Sequence, residues 1–302
     1  MFIVLLLSIT ATMALRRQAI DNLEVPSFAA GKRVAHVDCD NLTDASGLAA
    51  SRIFKDVLYT HNDGNGAPYI YAINATSGAL IAALEIANAR NRDWEDIAVG
   101  PCGNSRCIYI SDSGATHHKS SNTIYRVKEP DELNEDQVLP LDSTARYTWS
   151  QKASETIMVD PRGEVYLVSA VYKGSGMVSH LPNNSWGNPL PVNIESTQFL
   201  PIHTTHHNDP ASGDISVDGS ELLINARYQM FLWEIDGGDI MTSLTKPPVR
   251  VPYHRIGKNE AVCWSADGQN YYTLPEGHKP SLYIYTRINT ETPDLIGNLI
   301  GK

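Results

Sequence analysis

Apolar residues in this chain fall in short runs rich in Val, Ile and Tyr, each broken by Gly, Asn, Asp or Pro. No three-and-four spacing is sustained long enough for an ordinary helix. The pattern therefore predicts an all-β chain of short strands and tight turns. The runs also repeat. "DASGLAAS", "DWEDIAVG", "ASETIMVD", "SGDISVDG" and "NEAVCWSADG" each begin with a small or acidic residue and pass into an apolar strand. A turn follows, "DPRG" at 160–163 or "DG" at 218–219 and 267–268, and these are hairpin signals. Third strands come next: "YIYAI", "TIYRV", "FLWEI" and "LYIYT".

The openings fall at Gly47, Glu95, Glu155, Asp214 and Glu260, about 46–60 residues apart. Units of that length built from four strands predict a β-propeller. Five units are visible, and the irregular stretch 183–212 has room for another, so five or six four-stranded blades are expected. A β-sandwich leaves the fivefold recurrence unexplained. The alternating tyrosines, such as Tyr71, Tyr109, Tyr271 and Tyr285, read as packing between blades.

In a propeller the first strand of each blade lines the channel, and its opening residue sits near one mouth. Glu95, Glu155, Asp214 and Glu260 are thus expected to converge as ligands of a cation. His61, Asn62, Asp63, Asp112, Lys173, Arg227 and Glu276 are expected around the rim, with His61 and Asp63 as catalytic candidates. In "RDWEDIAVGP", Glu95 would face the channel, Trp94 would pack between blades, and Asp93 or Asp96 would hold the turn. Clustered carboxylates repel, and a bound ion relieves them. Oxygen-only ligands suit Ca²⁺ or Mg²⁺, with calcium the extracellular choice. The competing reading is that the acids bond strand N–H groups and stitch blades together.

Composition narrows the function. At 42% hydrophobic the chain can bury a large core, and a net charge of −10 argues against nucleic acid or an anionic membrane as partner. The N-terminal run Phe2–Ile9 is too short to span a bilayer. With Thr12 and Ala14 at the −3 and −1 positions, residues 1–14 read as a secretory signal peptide and 15–302 as a single propeller domain, an uncleaved anchor being the alternative. Sequons at Asn41, Asn74 and Asn183 and an even cysteine count agree with secretion. Cys102 and Cys107 bracket "GNSR" and could staple a hairpin; Cys39 and Cys263 would then pair by elimination. The histidines in "HTTHHND", His203, His206 and His207, read as a solvated loop, as do those in "THH" at 116–118. No G-x-S-x-G, phosphate-binding loop or dinucleotide fingerprint occurs.

Taken in order, Ser46-Gly47-Leu48, Trp94-Glu95-Asp96, Ile110-Ser111-Asp112-Ser113-Gly114, Ser154-Glu155, Gly213-Asp214-Ile215-Ser216, Asn259-Glu260-Ala261 and Pro275-Glu276-Gly277 form a motif series. The series resembles that of the secreted propellers grouped as SdiA-regulated or esterase-like, NHL-type proteins, over about residues 36–286. The resemblance implies a propeller. The chain departs from the family's "GDxGDN" loop, which is shortened here to "SDSG" before "ATHHKSSN". By analogy with other propellers that hold calcium in the channel, two functions are expected. One is a monomeric secreted hydrolase acting on a small lactone or ester. The other is a non-catalytic module that binds a small molecule or glycan beside a structural cation.

Overall fold

A computed structural model describes residues 26–115, 121–151, 153–171, 175–196, 198–202 and 209–288. Residues 1–14, expected as a signal peptide, and His117, His118, Lys173, His203, His206 and His207 lie outside them. Residues Phe28–Thr286 form one compact unit. It is a closed ring of five sheets, antiparallel but for one parallel strand at the edge of each of the first two. The innermost strands are Ala45–Ala50, Trp94–Cys102, Ser154–Val159, Ser212–Ile215 and Asn259–Trp264, one per blade. Each lies against the inner strand of the next blade, and the fifth lies against the first.

Closure uses both ends of this unit. Strand Lys32–His36 pairs with Ser281–Thr286 and supplies the outer strand of the fifth blade. Of the five or six blades expected, the described residues form five. Within 183–212, strand Val192–Ile194 joins the second blade in parallel beside Leu141–Trp149, and Gln198–Phe199 closes the third blade. A similar borrowed strand, Gln137–Leu139, extends the first blade. The first two blades are therefore five-stranded. No helix among the described residues is long and apolar enough to cross a membrane.

Both faces of every blade are buried, because side chains alternate along a strand and each blade has two neighbours. The outcome is five apolar clusters, one at each blade boundary. Leu222 and Ile224 face the third blade, while Leu223 between them faces the fifth. Trp94 packs between the first and second blades as expected. Tyr271 and Tyr285 stack at 4.4 Å between the fourth and fifth. Gly100 permits the second and third blades to meet, since a Cβ there would lie 2.4 Å from Val159.

Cys102 and Cys107 form the expected disulfide across their hairpin, with Cα atoms 5.8 Å apart. Cys39 and Cys263 are not bonded; both are buried free thiols in the cluster between the fifth and first blades. Elimination pairs cysteines by number, whereas a bond needs their Cβ atoms brought to about 3.5–4.5 Å. Here both thiols pack as small apolar groups instead.

Polar ties lock the ring near its axis. The fully buried Asp96 of the second blade accepts hydrogen bonds from Ile157 N–H at 3.0 Å, Ser212 Oγ at 2.9 Å and Gly213 N–H at 3.3 Å. One carboxylate thus joins three blades. Replacing Asp96 with Ala strands these buried donors and is expected to cost roughly 3–5 kcal/mol. Asp96→Asn keeps one acceptor oxygen and should cost about half as much. Urea unfolding checks this, and a loss below about 1 kcal/mol for the alanine variant would refute the tie.

Candidate functional site at the acidic mouth

Backbone irregularity builds the site. Pairing between the first and second strands slips by one residue at Gly47, Glu95, Glu155 and Glu260. Each is a β-bulge at the same point of its blade, and a bulge re-aims the extra side chain. In three blades that residue is a glutamate. The fourth blade pairs Ser212, Gly213 and Asp214 without a slip. Asp214 consequently lies further along the strand and accepts Trp264 N–H at 2.9 Å. It stitches blades, as Asp96 does, and is not among the gathered acids.

Asp63 is the hub. Its carboxylate belongs to two groups, with Asp93 and Glu95 and with Glu260 and Glu276, and in each group the oxygens lie within 4.8 Å of one another. Glu155 adjoins Glu95. Lys258 Nζ lies 2.8 Å from Glu260 and 2.5 Å from Glu276, and Arg227 lies 3.3 Å from Glu260. Two glycines let the backbone approach: a Cβ on Gly114 would lie 1.9 Å from Glu95 Oε1, and one on Gly64 would lie 2.7 Å from Asp93 Oδ1.

The crowding shifts proton affinities. Burial, then the charge of Glu260, pushes Asp63 up to about 6. Burial and Glu260 likewise push Glu155 up to about 7. Burial and the Glu260 hydrogen bond push Glu276 up to about 8. Glu95 rises well above the carboxylate range through burial and the neighbouring Glu155. Burial acts on Glu260 in the same sense, but the Glu276 hydrogen bond, Lys258 and Arg227 outweigh it and hold its carboxyl low.

Several expected rim residues are committed elsewhere. His61 is fully buried, its ring edge-on to Trp94 and its Nδ1 2.9 Å from Asn62 O; burial pushes it down to about 4. The rim position expected for it is corrected, because its strand faces the next blade at that point. Asn62 accepts from Thr43 and Asp44 N–H and donates to Asn41 O, fixing the 41–44 loop. Asp112 is buried and accepts from Arg92 Nε at 2.7 Å and Asp93 N–H at 3.1 Å, so it holds the turn assigned to Asp93 or Asp96. Asn41 and Asn183 are exposed and Asn74 is half-buried. Sequence reasoning missed Asp93 as a member of the cluster, and missed Lys258. Lys258 lies two residues before Glu260, which in an extended chain is the same side.

No protein-family model and no curated protein matches the chain. Among solved structures, the PQQ-bound aldose sugar dehydrogenase of Streptomyces coelicolor is similar at 11% identity and a TM-score of 0.52, over 87% of this chain and 99% of that one. A gluconolactonase of Xanthomonas campestris is similar at 12% identity and a TM-score of 0.47, over 87% and 97%. The hydrazine synthase of Kuenenia stuttgartiensis gives 14% and 0.41, over 81% and 84%. The likeness to the dehydrogenase is one of fold, and the two with lower scores support nothing further.

Asp63, Glu155 and Glu276 bind protons more tightly folded than unfolded. Their contribution to stability is complete below the unfolded carboxylate range near 4 and is lost as pH rises through about 6–8. Without divalent cations the melting temperature is expected to fall across that window, and Glu155→Gln should flatten the fall. A melting temperature independent of pH between 5 and 8.5 would contradict the clustering.

Proposed function

We propose that this protein is a secreted propeller whose acidic mouth binds calcium and, beside it, a small lactone or ester that it hydrolyses. The observation that carries the reading is the position of Asp63, shared between two groups of three carboxylates. The donor set is all oxygen, which suits a hard cation. Calcium–oxygen distances of about 2.3–2.6 Å let two ligands sit up to about 5 Å apart across the ion, and the oxygens of each group lie within that reach.

Asp63, Asp93 and Glu95 would hold the ion, with Glu260 and Glu276 completing the ring. Bound there, calcium would supply Lewis acidity toward an ester carbonyl. Glu155 belongs to neither group and adjoins Glu95, which leaves its carboxyl to take a proton from water. Lys258 and Arg227 limit the negative charge on the Glu260 side and orient that carboxylate. His61 is sealed against Trp94 and takes no part. That burial also favours the second reading, a binding module in which the cation is structural.

One set of experiments separates these readings. Calorimetric titration of metal-stripped protein with calcium is expected to saturate, and Asp63→Asn to weaken binding about tenfold or more through the lost shared ligand. Aryl esters and small lactones are expected to turn over, with activity lost to a calcium chelator and restored by calcium. Binding without turnover of any substrate supports the non-catalytic module. No saturable calcium binding, or turnover that survives exhaustive chelation, overturns the metal site.

A further inference from the structure

The channel has a second end. Every inner strand runs away from the acids, so the strand ends gather at the opposite mouth. A cavity of 420 Å³ lies there, and no residue of the acidic mouth lines it. Asp96, which bonds across from the second blade to the third and fourth, lies between the two ends. The cavity has a size typical of small-molecule sites.

Its lining combines apolar walls with uncommitted positive charge. Val99, Val159, Ile215 and Val217 supply the apolar surface, and Arg52 and Arg106 supply the charge. Arg52 Nη1 is buried and has no hydrogen-bond partner. A buried guanidinium N–H without an acceptor is costly, so the arrangement favours an incoming anion. The backbone under Arg52 is held in place: its N–H donates to Glu129 Oε1 at 3.1 Å, and Ser51 Oγ donates to the same oxygen at 2.5 Å. Neither arginine forms an ion pair among the described residues. Asp160, the carboxylate in the lining, already accepts from Arg162 at 2.6 Å and from the N–H groups of Arg162 and Glu164. The buried Asp214 lies near enough for the Arg52 charge to act on it, while its carboxylate accepts the Trp264 N–H.

We propose that this cavity binds a small organic carboxylate, its charged group on the Arg52 guanidinium and its apolar body against the valines and Ile215. A planar guanidinium matches a carboxylate in two parallel hydrogen bonds, which a lysine cannot reproduce. Arg106, exposed at the edge, draws the anion in and shields it from water.

The site is tested on the full purified protein by calorimetric titration with 3-phenylpropionate. The neutral 3-phenylpropanamide and inorganic phosphate serve as comparison ligands. Saturable binding of the carboxylate is expected, with the amide and phosphate each about tenfold weaker. Arg52→Met should reduce affinity about tenfold or more, and Arg52→Lys, which keeps a positive charge near Asp214, severalfold. Should Arg52→Met fail to fold, Arg106→Ser at the exposed edge still reads the site and is expected to weaken binding severalfold. Asp63→Asn, at the other mouth, should leave the affinity unchanged. That keeps this result separable from the calcium titration. No saturable binding up to about 10 mM, equal binding of acid and amide, phosphate as tight as the carboxylate, or folded arginine variants that bind like the wild type would each overturn the proposal.

Discussion

Every blade here is apolar on both faces, and that single constraint organises the molecule. A sheet with two buried faces is not stable alone; it needs a neighbour on each side, and only a closed ring supplies that for all of them. The five boundary clusters express this requirement, and the pairing of Lys32–His36 with the last blade completes it. Since hydrophobic burial occurs between blades, the axis itself is left to polar groups. Asp96, Ser212 and Asp214 fill it with bonds that run from blade to blade.

The acidic mouth follows from the same geometry. Inner strands that start at a common level bring their first residues together, whatever those residues are. Glutamates at three of the bulges then meet Asp63, Asp93 and Glu276 at distances where like charges oppose ionisation. Among the described residues, Lys258 and Arg227 both pair with Glu260 and so place their positive charge on that side of the cluster. At the opposite end the balance inverts: Arg52 and Arg106 face a cavity whose carboxylate is already paired. One channel thus presents two mouths of opposite chemistry, separated by the polar ties around Asp96.

Much of this was legible in the sequence, for a physical reason. Blade repetition writes a small or acidic residue before each apolar inner strand, and that rhythm located Glu95, Glu155 and Glu260 correctly at strand openings. The details that escaped depend on single-residue register. A bulge present in four blades and absent in the fourth one moves Asp214 off the ring, though its motif looks equivalent. His61, inside its strand, packs against Trp94, and Asp112 is buried beneath the 92–93 turn, while Asp63, just past the strand end at Asn62, reaches the mouth. Pairings between distant segments left no local trace either: the N-terminal closing strand, the borrowed strands at 137–139 and 192–194, and the unbonded state of Cys39 and Cys263.

Ring closure gathers these carboxylates around Asp63, and the proposed cation site is centred there. Crystals soaked in manganese, an oxygen-seeking ion with a strong anomalous signal, test it most directly. An anomalous peak is expected within coordination distance of Asp63, flanked by Asp93 and Glu95 or by Glu260 and Glu276. Anomalous density confined to other parts of the molecule, with the Asp63 carboxylate engaged only by protein groups, would contradict it.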